Sequence, residues 1–134
     1  MPPLRTTVLV DETFFNALLR RDEPCHADAA ACYEELVAAY EAGTTVVVTH
    51  ADALTATIDP DRARQVAAIC AVLPIDADVR REIRRIRSDA TAPVVAELGD
   101  SQLATIVLLA RHRLDELASF DPAVRRLAAA ERRR

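Results

Sequence analysis

The segment from Thr6 to Leu19 reads TTVLVDETFFNALL, and the fold is decided here. Its first part, Thr6–Val10, is a run of β-branched and aliphatic residues, which predicts a strand buried on both faces of a parallel sheet. After Asp11, apolar residues recur at the spacing of one helix face. The segment therefore predicts a buried strand that ends at an aspartate and passes directly into a helix.

The rest of the sequence alternates between predicted helices and predicted strands. A helical pattern over 27–42 stops at Gly43, and Thr44–Thr49 (TTVVVT) is a second β-branched strand. The distance between the two strands excludes a hairpin and predicts a βαβ unit. Ala71–Ile75 (AVLPI), with its proline, predicts a short edge strand, and Leu117–Phe120 (LASF) a last one. Residues 1–134 are expected to form one three-layer α/β/α sandwich with a mostly parallel sheet of four or five strands.

The remaining helices are predicted from caps and apolar spacing. A short helix is expected from Ala51 to about Thr57, and Asp59-Pro60 opens another. Asp76–Arg87 is strongly helical, a loop is expected over 88–93, and Gly99-Asp100 opens a long apolar helix. An amphipathic helix closes the chain, with an arginine tail over 132–134.

The amino-acid composition excludes several classes of protein and of binding site. Hydrophobic residues make up 51% of the 134, which excludes a disordered chain, and only two glycines argue against a glycine-rich phosphate loop. Three cysteines without paired spacing indicate a reducing compartment, and no apolar run reaches about 18 residues, so a cytoplasmic protein is expected. All seventeen basic residues are arginine, which binds phosphate through planar, paired donors.

Three aspartates follow strands or open a helix. Asp11 and Asp121 come directly after predicted strands, and Asp100 begins a helix. The carboxyl ends of parallel strands meet at one edge of the sheet, where α/β proteins place their sites. Clustered carboxylates repel one another, and a hard cation such as Mg²⁺ or Mn²⁺ relieves the repulsion. Taken singly, Asp100 and Asp121 are explained equally well as helix caps or turn residues.

Three stretches resemble the PIN-domain family, which includes the VapC-type toxins of bacterial toxin–antitoxin pairs. TVLVDETFFNALL is similar to the first strand, first acid and first helix of the family, and Thr13 and Asn16 stand where polar residues support that acid. VVVTHADAL resembles the second strand and its threonine-rich turn. LGDSQLATIVLLARHRLDELASFD resembles the most specific part, an aspartate opening a helix and a strand ending in Ser-Phe-Asp.

This resemblance implies a function and a set of partners. By it, Asp11, Asp100 and Asp121 are the first, third and fourth acids and the metal ligands, and all three are catalytic. Members of the family are typically Mg²⁺- or Mn²⁺-dependent ribonucleases. The resemblance therefore implies an RNA substrate, a homodimer and, for a toxin, an antitoxin partner that holds it inactive.

One family position departs from the pattern. The second acid, a glutamate, falls here on Thr55 or Ala56, and neither is acidic. Asp52 and Glu12 are the candidate replacements. Asp52 is preferred as the additional catalytic acid, because Glu12 would point away from Asp11 if the strand continued through it. The departure keeps open a degenerate domain that binds RNA or protein without cutting, and an unrelated α/β module whose acids are only caps.

Two further features remain open at this stage. His50 follows the second strand, where it would contact a phosphate or act as a general acid, although such a histidine is more often a turn residue. The arginines between positions 80 and 87 would line a phosphate-binding groove, although a solvated helix face is the preferred interpretation.

Overall fold

Four parallel strands form the single sheet of the described residues. A computed structural model describes residues 5–89, 95 and 97–132. Strands β1 (Thr6–Val10), β2 (Thr45–His50), β3 (Cys70–Leu73) and β4 (Glu116–Ala118) lie in the order β3-β2-β1-β4. Every neighbouring pair is parallel, which confirms the predicted α/β class. Because β1 is central and adjoins β4, the residues that follow these two strands emerge side by side.

The sheet is surrounded by the helices α1 (Glu12–Leu19), α2 (His26–Glu41), α3 (Ala51–Thr55), α4 (Pro60–Val66), α5 (Ala77–Asp89), α6 (Asp100–Arg111) and α7 (Pro122–Arg132). A 3₁₀ turn, Ala67–Ile69, joins α4 to β3. No helix of the described residues is long and apolar enough to cross a membrane.

The central strand is buried on both faces, as its apolar sequence predicts. Leu9 packs into a core formed mainly by α5, α6 and α7, whereas Val10 packs into a second core with Phe14 and Phe15 of α1. Successive side chains of a strand point to opposite faces, so two cores require helices on both sides. The three-layer α/β/α arrangement is therefore confirmed.

Several predicted boundaries were wrong by a few residues. β3 is an edge strand, as predicted, but it ends at Leu73 because Pro74 has no N–H for the ladder. β4 ends at Ala118, and Phe120 instead stacks on Phe14 with ring centroids 5.9 Å apart. α5 continues through Asp89, so the predicted loop was wrong for 88–89, and its remainder lies outside the described residues. The end of the predicted arginine tail, 133–134, also lies outside them.

Candidate metal centre

The ends of β1, β2 and β4 are bound to one another by hydrogen bonds. The backbone N–H of Asp11 donates to the carbonyl of Ala118 at 3.3 Å. From the other side, the hydroxyl of Thr49 in β2 donates to the carbonyl of Val10 at 2.8 Å. These bonds fix the edge of the sheet from which the acidic side chains project.

Asp11 is the most buried acid of this edge, at only 1% exposed. It caps α1, with Oδ1 accepting from the N–H of Phe14 at 3.0 Å and from the hydroxyl of Thr13 at 2.6 Å. Oδ2 accepts from the hydroxyl of Ser119, which follows β4. Burial raises the pKa of Asp11; these hydrogen bonds oppose the rise, and the charge of Asp121 adds to it. Asp11 and Asp121 are therefore close enough to repel.

Asp121 connects the start of α7 to the start of α6 through hydrogen bonds. Its Oδ1 accepts from the N–H of Ala123 at 2.9 Å, as a helix cap does. Its Oδ2 accepts from Nε2 of Gln102 at 2.6 Å, and Oε1 of Gln102 accepts from the N–H of Gly99 at 2.7 Å. The prediction that the start of α6 meets the strand ends is confirmed for this part of the helix.

Glu12 lies in the same electrostatic neighbourhood. Burial raises its pKa, the charge of Asp11 raises it further, and Asp121 adds a smaller rise. The nearby Ser101 side chain lowers the pKa of Glu12. Oγ of Ser101 is buried and has no hydrogen-bond partner among the described residues, so Ser101 is a close neighbour of Glu12 and not a bonded partner. The reason given for preferring Asp52 does not apply, because β1 ends at Val10 and Glu12 is the first residue of α1.

Asp100 faces a different partner. It is the first residue of α6, its side chain is 66% exposed, and Oδ1 accepts from Nη2 of Arg87 at 2.7 Å and from Nε at 3.2 Å. Arg87 also donates to the carbonyl of Leu98 at 2.9 Å. An ion pair this exposed contributes about 0–1 kcal/mol, so Asp100 is held only weakly. The structure brings Asp11 and Asp121 together and directs Asp100 to an arginine.

The charge of Asp52 raises the pKa of His50. Asp52 is in the first turn of α3, and its negative charge opposes the effect of burial, which lowers the pKa of His50 to about 4. Nδ1 of His50 accepts from the N–H of Ala53 at 3.2 Å, so Nε2 carries the proton and donates to the hydroxyl of Thr105 at 2.8 Å. His50 is 0% exposed, so this neutral imidazole joins β2 to α6 and does not face a phosphate.

The donor chemistry of the edge fits a hard divalent cation. Asp11, Glu12 and Asp121 offer only oxygen donors. The pKa of Asp11 and of Glu12 is raised first by burial and then, to a smaller extent, by the negative charge of neighbouring acids. As these side chains stand, however, no group of three or more His, Cys, Asp or Glu in the described part of the chain is placed to hold an ion. Asp100 would join the donor set only after leaving Arg87.

Sequence reasoning missed part of this edge. Thr13 supports Asp11 as the resemblance implied, but Oδ1 of Asn16 instead accepts from the N–H of Ile58 at 3.0 Å. Gln102 and Ser101 were not singled out, because serine and glutamine are ordinary residues in the first turn of a helix. Their one signal is their position directly after Asp100 in LGDSQ.

Comparison with known proteins supports the fold. No protein-family model matches the sequence, and no curated protein matches it. The structure is similar to the crystal structure of VapC20 of Mycobacterium tuberculosis, a PIN-domain toxin described as cleaving the sarcin–ricin loop. The TM-score is 0.68 at 16% identity, over 92% of this chain and 94% of VapC20. The predicted PIN-type fold is thereby confirmed.

Proposed function

We propose that this chain is a PIN-type endoribonuclease that depends on Mg²⁺ or Mn²⁺ and serves as the toxin of a toxin–antitoxin pair. One observation carries the proposal. In a chain with the fold of VapC20, the acids after β1 and β4 meet at one edge of the sheet: the hydroxyl of Ser119 donates to Oδ2 of Asp11 and accepts from the N–H of Asp121 at 3.2 Å, and the charge of Asp121 adds to the rise in the pKa of Asp11. Coupled carboxylates at the carboxyl ends of parallel strands are an arrangement that a hard cation stabilises.

Asp11 and Asp121 are the central ligands in this proposal. Glu12 takes the place of the missing glutamate, and Asp100 completes the set once it leaves Arg87. A bound divalent ion would polarise a phosphodiester and generate a hydroxide nucleophile. The chain itself fixes the Asp11 carboxylate from three sides and, through Gln102, sets the position of Asp121. Asp52 has no catalytic part in it, since its charge acts on His50.

Cleavage of RNA by the purified protein tests this function. A hairpin RNA carrying the sarcin–ricin loop is the first substrate to use, because VapC20 is described as cleaving that loop. We expect cleavage with Mn²⁺, none with EDTA, and a rate on the order of 100-fold lower in Asp11→Asn, since the ligand loses its charge. Asp59→Asn is the matched control, because Asp59 caps α4 in the same way through Arg62 N–H at 3.2 Å. Equal rates in wild type and Asp11→Asn would refute the assignment.

A degenerate PIN-type domain that binds without cutting is the second candidate. Thr55 and Ala56, at the usual position of the second acid, are exposed and non-acidic, and Asp100 is paired with Arg87. Mn²⁺ titration followed by calorimetry separates the two proposals. A catalytic domain binds the ion tightly, whereas a domain that has lost catalysis shows no tight binding at concentrations up to the millimolar range.

The partner proposals rest on the same fold. We propose a homodimer in the cytoplasm, bound by an antitoxin encoded beside it. Light scattering after size-exclusion chromatography should give twice the chain mass of 14.7 kDa. Expression of the chain alone should arrest growth, and expression of the neighbouring small gene with it should restore growth. A monomer, or unimpaired growth, would contradict the respective proposal.

A further inference from the structure

The arginines of α5 lie on two different sides of the helix. Arg80, Arg84 and Arg87 follow the i, i+4, i+7 spacing that places residues along one stripe. Arg81 and Arg85 are about 100° further round, as the rotation of about 100° per residue requires. All five are exposed. The helix therefore presents two arginine faces that can be compared directly.

Among the described residues, one of these faces is fully paired with acids and the other only in part. Arg81 pairs with Asp78 at 3.1 Å, and Arg85 pairs with Glu82 and, at 3.4 Å, with Asp89. On the other face, Arg87 pairs with Asp100. Within residues 5–89, 95 and 97–132, Arg80 and Arg84 have neither an ion pair nor a side-chain hydrogen bond. Two neighbouring guanidinium groups therefore have donors that no residue of the described ranges uses.

Arg80 and Arg84 border a cleft that also contains Asp100, the acid proposed to complete the metal centre. Arg80, Arg84 and Arg87 line a cleft of about 200 Å³ with Ile83 and Asp100. Asp100 opens α6, and Gln102, two residues further on, donates to Asp121. The cleft therefore adjoins Asp100, and the helix that Asp100 opens contacts Asp121.

A larger cleft on the opposite side of α5 offers a contrast. It encloses about 570 Å³ and is lined by Arg81 and Arg111. Both of these arginines pair with Asp78, which also lines it, at 3.1 and 3.3 Å. Its cations are already compensated, so it has little to offer an anion. Charge complementarity favours the smaller cleft for a phosphate.

We propose that Arg80 and Arg84 bind a backbone phosphate of the RNA substrate next to the phosphodiester that is cleaved. The proposal rests on the ribonuclease function and assigns the side from which RNA enters, along α5. Arginine suits this role because its planar guanidinium donates paired hydrogen bonds to phosphate oxygens. Contacts of this kind position a nucleic acid without reading its sequence.

The salt dependence of RNA binding tests this inference. The hairpin RNA of the cleavage assay is titrated in EDTA, which prevents cleavage, at several salt concentrations, and binding is followed by fluorescence anisotropy. The variant is Arg80→Gln with Arg84→Gln. The matched control, Arg81→Gln with Arg85→Gln, removes the same charge from the same helix on its other face.

We expect the Arg80/Arg84 variant to bind on the order of tenfold more weakly at 0.1 M salt, with the slope of log K against log salt smaller by about 0.7, the value for one phosphate contact. The control should keep a slope close to that of wild type. Equal losses in both double variants, or no loss in either, would overturn the inference while leaving the cleavage result intact. Absence of RNA binding by wild type would overturn both this inference and the proposed function.

Discussion

At the scale of single residues, the site depends on carboxylates that have structural partners as well as charge. Asp11 accepts three hydrogen bonds while its burial raises its pKa, so its ionised form is well oriented but poorly solvated. Asp121 likewise caps a helix while repelling Asp11. An acid that caps a helix can therefore also belong to a site, and the two interpretations drawn from sequence do not exclude each other.

Glu12 and Asp52 are the two candidates to replace the missing glutamate, and substituting them should affect the cleavage rate differently. We expect Glu12→Gln to lower Mn²⁺-dependent RNA cleavage on the order of 100-fold, because it removes a charge coupled to Asp11 and Asp121. Asp52→Asn should keep the rate within a few fold of wild type, since the charge of Asp52 acts on His50. Initial rates on the hairpin RNA measure both. Loss of activity in Asp52→Asn alone would restore the assignment made from sequence.

His50 should make the fold sensitive to acid. A base whose pKa is lower in the folded protein than in the unfolded chain stabilises the fold at high pH and loses that contribution as pH falls through its unfolded pKa. The pKa of His50 is lowered to about 4, so the loss falls between about pH 6.5 and 4. His50→Asn keeps a favourable helix cap and removes this titration.

We expect the stability advantage of wild type over His50→Asn to shrink by about 2 kcal/mol between pH 7 and pH 5. Urea unfolding at the two pH values measures it. The carboxyl groups whose pKa is raised, Asp11 and Glu12, are present in both proteins, so their titration cancels in the comparison. A difference that does not change with pH would show that the imidazole is not held neutral by its burial.

The residue scale is also where sequence reasoning had the least information. The position of Asp11 after a β-branched run predicted its place at the sheet edge. The contact between Asp100 and Arg87 joins residues 13 positions apart, on two helices whose packing no local pattern specifies. The choice between Glu12 and Asp52 depended on where β1 ends, and a boundary is the least certain part of any strand predicted from sequence.

At the scale of elements, the start of α6 connects the acidic edge to α5. Its first residue, Asp100, pairs with Arg87 of α5, and its third, Gln102, pairs with Asp121 at the start of α7. The side-chain pair between Asp100 and Arg87 is exposed and therefore weak. A small movement of Arg87 would thus release an acid beside the others.

Arg87→Gln should strengthen metal binding. Removing the guanidinium frees Asp100, and the cost of breaking an exposed pair, about 0.2–1 kcal/mol, corresponds to a gain in Mn²⁺ affinity of about 1.4- to fivefold. Calorimetric titration measures it. Arg85→Gln is the control, because Arg85 lies on the same helix and pairs with Glu82 and Asp89, away from Asp100. Equal or weaker binding in Arg87→Gln would mean that Asp100 takes no part in the site.

Element types were predicted more securely than element ends. Gly43 follows the end of α2 at a φ of 75°, as its position in the sequence predicted. Glycine adopts a positive φ without steric cost. Pro74 ended β3 earlier than expected, and α5 ran past Arg87 through Asp89. Glycine and proline act through the local backbone and can be interpreted from sequence, whereas the end of a charged helix depends on its neighbours.

At the scale of the whole molecule, the alternation of strands and helices was enough to predict the three layers. Parallel strands require crossovers, and helices on both faces follow from strands that are apolar on both sides. The prediction only assumed that β1 and β4 are neighbours, because no local pattern specifies a pairing between residues as distant as Val10 and Ala118, which are 108 positions apart. The structure supplies that relation, and with it the approach of Asp11 to Asp121.

Calorimetric titration of the metal-free protein with Mn²⁺ tests the central claim most directly, with wild type, Asp11→Asn and Asp59→Asn measured side by side. We expect wild type and Asp59→Asn to bind one ion per chain with the same affinity, and Asp11→Asn to bind at least about tenfold more weakly, a difference of about 1.4 kcal/mol. Binding that is absent in wild type, or equal in wild type and Asp11→Asn, would contradict a metal centre at the ends of β1 and β4.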